Sequence, residues 1–188
     1  MKIAISGKSG CGNSTVTARV AGRLGYERIN YTFKDMAAEQ GVSFEELCEM
    51  AEHDTRWDLQ LDRRQVEMAR EGNTVLGSRL AIWILDDADL RVYLDAPPHV
   101  RAKRIRNRNA EAGQGPVDCR TVLEQTVERD RRDHERYLRL YGINNDDFGF
   151  ADLIIDTTDL GPDDVADLIV TAAEREQAAA RKRPPGQS

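Results

Sequence analysis

The chain opens on Lys2-Ile3-Ala4-Ile5-Ser6, a short β-branched-rich run that stops at a glycine, the pattern of a buried strand. From Ser14 to Leu24 the apolar residues Val16, Val20, Ala21 and Leu24 recur at helical spacing, and Gly25 stands where a helix ends on glycine. A brief strand is predicted around Arg28-Ile29-Asn30. Consecutive helices then run from Phe33 to Glu71, with a capping box at Ser43-Phe44-Glu45-Glu46 and punctuation at Gly41 and Gly72. Thr74-Val75-Leu76-Gly77 reads as a third strand and Leu90 to Asp95 as a fourth. Pro97-Pro98 closes the fourth strand and opens a helix to about Asn107. A polar, glycine-containing segment from Asn109 to Pro116 precedes a long helix that ends near Tyr141. Leu153 to Asp156 is the fifth strand, and Pro162 to about Arg175 the last helix. The remainder, 178–188, reads as a disordered tail that includes the basic run Arg181-Lys182-Arg183.

Strands alternating with helices predict an α/β fold: three αβα layers around a five-stranded, mostly parallel sheet. With 188 residues, one domain is expected, here 1–177, with enough chain to bury a core without metal or disulfide support. No apolar run approaches the ~18 residues that cross a bilayer, and the N-terminal apolar run breaks at Gly7 before a signal sequence forms. The three cysteines, Cys11, Cys48 and Cys119, show neither CxxC spacing nor a nearby His pair, so a reducing cytoplasm is expected and a zinc site is not. With 27 basic and 33 acidic residues the net charge is −6, which disfavours nucleic acid as a partner; small-molecule ligands and a monomeric chain are expected, with no membrane association.

The chemistry gathers at the turn after the first strand. Gly7-Lys8-Ser9-Gly10-Cys11-Gly12-Asn13-Ser14-Thr15 matches the phosphate-binding pattern GxxxxGK[ST] at every fixed position but one, Asn13 replacing the lysine. Glycines allow the backbone N–H groups to turn inward, and the helix that follows adds positive charge at its N-terminus. Ser14 is placed to offer a hydroxyl to Mg²⁺. An amide at position 13 cannot neutralise charge that develops during transfer, and such a loss costs roughly 10²–10³ in rate. Lys8 either supplies the missing ammonium or is a solvated loop residue; the pattern leaves both open. Cys11 is either a small filler or a thiol activated by the helix terminus, and packing is the simpler reading.

A second constellation lies in Glu128-Arg129-Asp130-Arg131-Arg132-Asp133-His134-Glu135-Arg136. Arg129, Asp133 and Arg136 fall at i, i+4 and i+7, so they line one face of a helix, where two guanidiniums can clamp a phosphate around a carboxylate. His53, His99 and His134 share no metal-ligand spacing, and Trp57 and Trp83 are assigned to the core.

This segment and the glycine loop together resemble the cytidylate kinases of the short archaeal and bacterial kind, over residues 1 to about 172, the family's helix carrying the pattern E-R-D-x-R-D-x-x-R. The resemblance implies transfer of the γ-phosphoryl group from ATP, with Mg²⁺, to CMP or dCMP. It implies a monophosphate-binding helical insertion at about 31–72 and a lid at about 107–120, with Arg104, Arg106, Arg108 and Arg120 as lid candidates. Arg79, in Gly77-Ser78-Arg79, matches the family's G-R element that contacts the acceptor phosphate. Lys34 falls where the family has arginine after an aromatic. On this reading Lys8, Arg129 and Arg136 are the catalytic cations, the loop residues Gly7 to Thr15 bind the donor, and Lys34, Arg79, Arg129, Asp133 and Arg136 bind the acceptor. Two family acids are replaced, by Tyr31 after the second strand and by Gly77 at the end of the third. Altered donor-side groups beside retained acceptor-side cations leave two alternatives: a nucleotide-binding module without catalysis, or a kinase for another small acceptor.

Overall fold

The computed structural model describes residues 1–182 apart from Gln114 and Pro116. Five strands form the sheet: β1 (Lys2–Gly7), β2 (Glu27–Ile29), β3 (Thr74–Gly77), β4 (Leu90–Asp95) and β5 (Leu153–Asp156). Their order is β2-β3-β1-β4-β5 and all four pairings are parallel, with Ile3 opposite Val75 on one side and Leu90 on the other. Parallel strands need crossovers, which the helices supply. These are α1 (Asn13–Leu24), α2 (Phe33–Gln40), α3 (Phe44–His53), α4 (Arg56–Ala69), α5 (Ala81–Ile84), α6 (Pro98–Glu111), α7 (Cys119–Tyr141) and α8 (Pro162–Lys182).

Successive side chains of β1 point to opposite faces, and the core divides accordingly. Ile3 and Ile5 join Val16, Val20, Val92 and Leu94 under α1 and α8, whereas Ala4 joins Leu76 and Tyr93 under α4 and α5. Both faces of the central strands are thus buried, which is why their sequences read as apolar runs. A third cluster, Tyr31, Met36, Ala37 and Leu47, lies at α2 and α3 with Trp57, Leu61 and Met68 of α4 packed against it, and Met68 joins it to the cluster under the sheet. The capping box expected at Ser43 is formed: Glu46 N donates to Ser43 Oγ at 3.1 Å and Ser43 N to Glu46 Oε2 at 2.8 Å.

Three boundaries differ from the sequence pattern. α6 continues to Glu111, because nothing after Asn107 breaks a helix until Gly113, whose φ is +77°. The expected lid at 107–120 is therefore helical at both ends, with α7 starting at Cys119 behind its Asp118 cap. α8 continues past Arg175 to Lys182, so residues 178–182 of the expected disordered tail are helical; Ala178 to Ala180 are strong helix formers and no proline intervenes before Pro184. The rest of that tail, 183–188, lies outside the described residues. The short α5 had no counterpart in the pattern, being only four residues of apolar sequence.

Candidate active site

All the sheet's helix-bound turns from β1, β3 and β4 open at its carboxyl edge, where α/β folds bind ligands. There a cleft of about 1070 Å³ is floored by the glycine loop and walled by α4, α6, α7 and the start of α8. Gly10 and Gly12 adopt φ of +90° and +102°, a region closed to most side chains. A Cβ on Gly10 would come within 2.9 Å of the backbone and Cβ of Arg101.

Three loop carbonyls are tied back. Cys11 N donates to Lys8 O at 3.1 Å, Asn13 Nδ2 to Gly7 O at 2.6 Å, and Arg101 Nη1 to Ser9 O at 3.1 Å. The Asn13 side chain is therefore a staple across the loop, while its Oδ1 is buried without a partner among the described residues. Cys11 is 2% exposed, and burial pushes its thiol up to about 11 against the opposing pull of Arg101. It fills space under the loop, and its burial disfavours the thiolate. Ser14 and Thr15 line the cleft and are exposed.

Lys8 Nζ lies 2.6 Å from Asp146 Oδ1, and the lysine holds that carboxyl below the usual carboxylate range. His134 Nδ1 completes the group, 3.3 Å from Asp146 Oδ2 and 2.9 Å from Asn145 Oδ1. The loop's cation is thus engaged by the turn between α7 and β5.

The other cations converge from two elements. Arg79, after β3, lies 3.2 Å from Asp133 Oδ2, and Arg129 Nε 4.0 Å from the same oxygen. Burial and the like charge of Arg79 lower the pKa of Arg129, a crowding that an anion between the two would relieve. Arg136 is ion-paired with Asp58, which is buried on α4. Lys34 is not brought to the cleft: it is exposed and its Nζ sits 5.7 Å from the centre of the Phe44 ring. Of the lid candidates, Arg104 and Arg108 line the cleft, with Arg104 Nη1 donating to Thr157 Oγ1 at 3.0 Å. Arg106 is turned to Cys119, and Arg120 is paired with Glu124 at 2.9 Å.

Sequence reasoning missed the α4 wall. Asp58, Leu61, Asp62 and Gln65 stand at i, i+3, i+4 and i+7 and face the cleft together. Asp62 is bonded by the Tyr141 hydroxyl, yet burial, aided by the charge of Asp58, raises its pKa. Gln65 Nε2 donates to Tyr31 O at 2.8 Å, and its Oε1 is buried with no partner among the described residues. Arg101 was also missed; its partners lie 92 and 29 positions away in the chain, beyond any local pattern.

For a divalent cation the cleft offers little protein charge. Among the described residues no group of three His, Cys, Asp or Glu side chains is placed to hold a metal. A side chain at Gly77 would collide with Thr17, so the acid expected there has no room. Mg²⁺ keeps several waters and relies heavily on substrate phosphates, and the exposed Ser14 hydroxyl is a neutral oxygen available to join them.

A family model described as cytidylate kinase-like matches residues 2–159. Cytidylate kinase 2 of Borreliella burgdorferi is 48% identical over 173 residues, covering 90% of this chain and 93% of that protein. The cytidylate kinase of Pyrococcus horikoshii is 36% identical over 174 residues, 92% of this chain and 88% of that one. Among solved structures, shikimate kinase from Bacteroides thetaiotaomicron superposes with a TM-score of 0.58 at 16% identity, covering 92% of this chain and 97% of its own, a likeness of fold. No described helix is long and apolar enough to cross a membrane.

Proposed function

The chain belongs to the cytidylate kinase-like family, and we propose that it transfers the γ-phosphoryl group of ATP to CMP or dCMP within this cleft. The observation that carries the reading is the convergence of a phosphate loop with Arg79, Arg129 and Arg136 around one cavity. The loop N–H groups and the N-terminus of α1 receive the donor phosphates, and Lys8, released from Asp146, supplies the ammonium that Asn13 cannot. Ser14 would hold Mg²⁺ together with the phosphates, the ion when bound neutralising charge on their oxygens.

Arg79 and Arg129 take the acceptor phosphate, with Asp133 fixing the direction of both guanidiniums. Arg136 stands between that phosphate and α4, whose Asp58, Asp62 and Gln65 face the acceptor's nucleoside. An acceptor phosphate oxygen attacks the γ-phosphorus in line. The bond from that phosphorus to the bridging oxygen breaks, and ADP leaves as the cytidine diphosphate forms. Catalysis is by positioning and charge, with no covalent enzyme intermediate. Residues 31–72 serve as the monophosphate-binding insertion and 107–120 as the lid, Arg108 being the candidate that closes on the phosphoryl group. The protein acts as a cytoplasmic monomer on small nucleotides.

Steady-state transfer from ATP to CMP, dCMP, UMP and AMP tests this. Preference for the two cytidylates supports it. Preference for another acceptor overturns the substrate assignment, and thermal stabilisation by ATP without transfer to any acceptor leaves a nucleotide-binding module.

A further inference from the structure

Arg101 stands in the first turn of α6 with its side chain 3% exposed, and it does not line the cleft. Nε donates to Ala96 O at 3.0 Å, and Nη1 donates to both Ser9 O and Asp130 Oδ1 at 3.1 Å. Nη2 donates to Asp130 Oδ2 at 2.6 Å. The loop is packed directly on this residue, since a Cβ on Gly10 would collide with it. Asp130 belongs to α7, next to Arg129 and one turn before Asp133.

A buried ion pair of this kind is weak evidence for stability, because well-packed apolar residues often hold a core equally well. Apolar residues could not do what Arg101 does for Ser9, however. An anion site built of N–H groups requires the loop's carbonyls to face away from the anion, and Ser9 O is turned away by the guanidinium. Asp130 neutralises Arg101, so the pair adds geometry to the site rather than net charge. It also ties the loop to the helix that carries Arg129 and Arg136.

We propose that Arg101 and Asp130 are a positioning pair for the donor phosphates, Arg101 acting through the Ser9 carbonyl and Asp130 holding Arg101 in register with α7. The identity of the donor rests on the kinase reading above; the anion-binding geometry does not.

The test is calorimetric binding of Mg·ADP and, separately, of CMP to the full chain in Arg101→Met, Arg101→Lys and Asp130→Asn. Arg101→Met is expected to weaken ADP by about tenfold or more, the scale of one lost charge-assisted bond, with CMP within about twofold. Arg101→Lys is expected to recover part of the loss, since an ammonium can hold Ser9 O but cannot fork onto Asp130. Asp130→Asn is expected to fall between wild type and Arg101→Met. Equal weakening of ADP and CMP, or unchanged ADP affinity in a cooperatively folded variant, would overturn the proposal. If Arg101→Met does not fold, the other two variants carry the same comparison. A wild-type chain that transfers nothing refutes the kinase reading but leaves the ADP comparison readable. A wild type that transfers normally, with no selective loss of ADP in the variants, refutes the pair alone.

Discussion

Lys8 holds Asp146 across 2.6 Å, so the cation of the phosphate loop is secured from the turn between α7 and β5 while Asn13 staples the loop itself. Asp146 is half exposed, and such pairs contribute about 0–1 kcal/mol to folding. Lys8→Ala is therefore expected to leave the thermal midpoint nearly unchanged. If Lys8 carries the charge that stabilises transfer, the same variant loses roughly 10²–10³ in kcat. Steady-state kinetics beside a melting curve check this, and an unchanged kcat would leave Lys8 with its pairing to Asp146 and no part in transfer. Asp146 ionises below the usual carboxylate range in the folded chain, so the pair is complete above the unfolded value. Its contribution is lost only as pH falls through the lowered folded value.

Arg79 is the cleanest probe of the acceptor end, because its partner Asp133 is shared with Arg129 and remains paired when Arg79 is removed. Arg79→Ala is expected to raise KM for CMP by about tenfold or more while KM for ATP stays within about twofold. Parallel increases in both would place Arg79 in the frame of the cleft rather than on the acceptor.

The apolar β1 run, the glycine loop and the helical period of α1 are local signals, and the fold follows from them because each element meets its pattern on its own. The i, i+4, i+7 face of α7 is equally local, and Arg129, Asp133 and Arg136 do turn together toward Arg79 and Asp58. What escaped depends on contacts made only after packing. Asp58, Asp62 and Gln65 read as the ordinary polar side of α4 until Arg136 and Tyr141 of α7 pair with the two acids and the Tyr31 carbonyl takes up Gln65. Lys34 has the right neighbours in sequence, yet Phe44 on α3 draws it away from the cleft. Arg101 resembles any other arginine in the basic run of α6 until the loop is laid across it.

Gly77 and Thr17 exchange space across the end of β3: a Cβ at 77 would meet Thr17 Cβ at 2.9 Å and clash with Oγ1. Gly77→Ala is expected to destabilise by about 1–3 kcal/mol, the scale of overpacking, and Thr17→Ala to relieve part of that in the double variant. Thr17 Oγ1 is also buried with no hydrogen-bond partner among the described residues. Thr17→Val, which keeps the shape and removes the hydroxyl, is expected to stabilise by about 1 kcal/mol. Denaturant titration measures all four variants. A destabilising Thr17→Val would show that the hydroxyl has a partner in solution.

Asp62 sets stability against function on α4. Its folded pKa lies above the ordinary value, chiefly through burial and then through the charge of Asp58. A carboxyl with a raised folded pKa favours folding most below its unfolded pKa, and that advantage is lost as pH rises through the folded value. At neutral pH the charged form is therefore a net burden on the fold. Asp62→Asn removes the charge while its amide oxygen can still accept from the Tyr141 hydroxyl. The variant is expected to melt above wild type at pH 7, with the two converging as pH drops below about 4, near the unfolded aspartate value. Asp62 lines the cleft. Beside Gln65, whose Oε1 has no partner among the described residues, it offers acceptors to a base bearing an exocyclic amine, whereas uracil presents a carbonyl there. Asp62→Asn is thus expected to lower kcat/KM for CMP while narrowing its margin over UMP. Equal loss on both acceptors, or a lower midpoint at pH 7, would remove Asp62 from base selection.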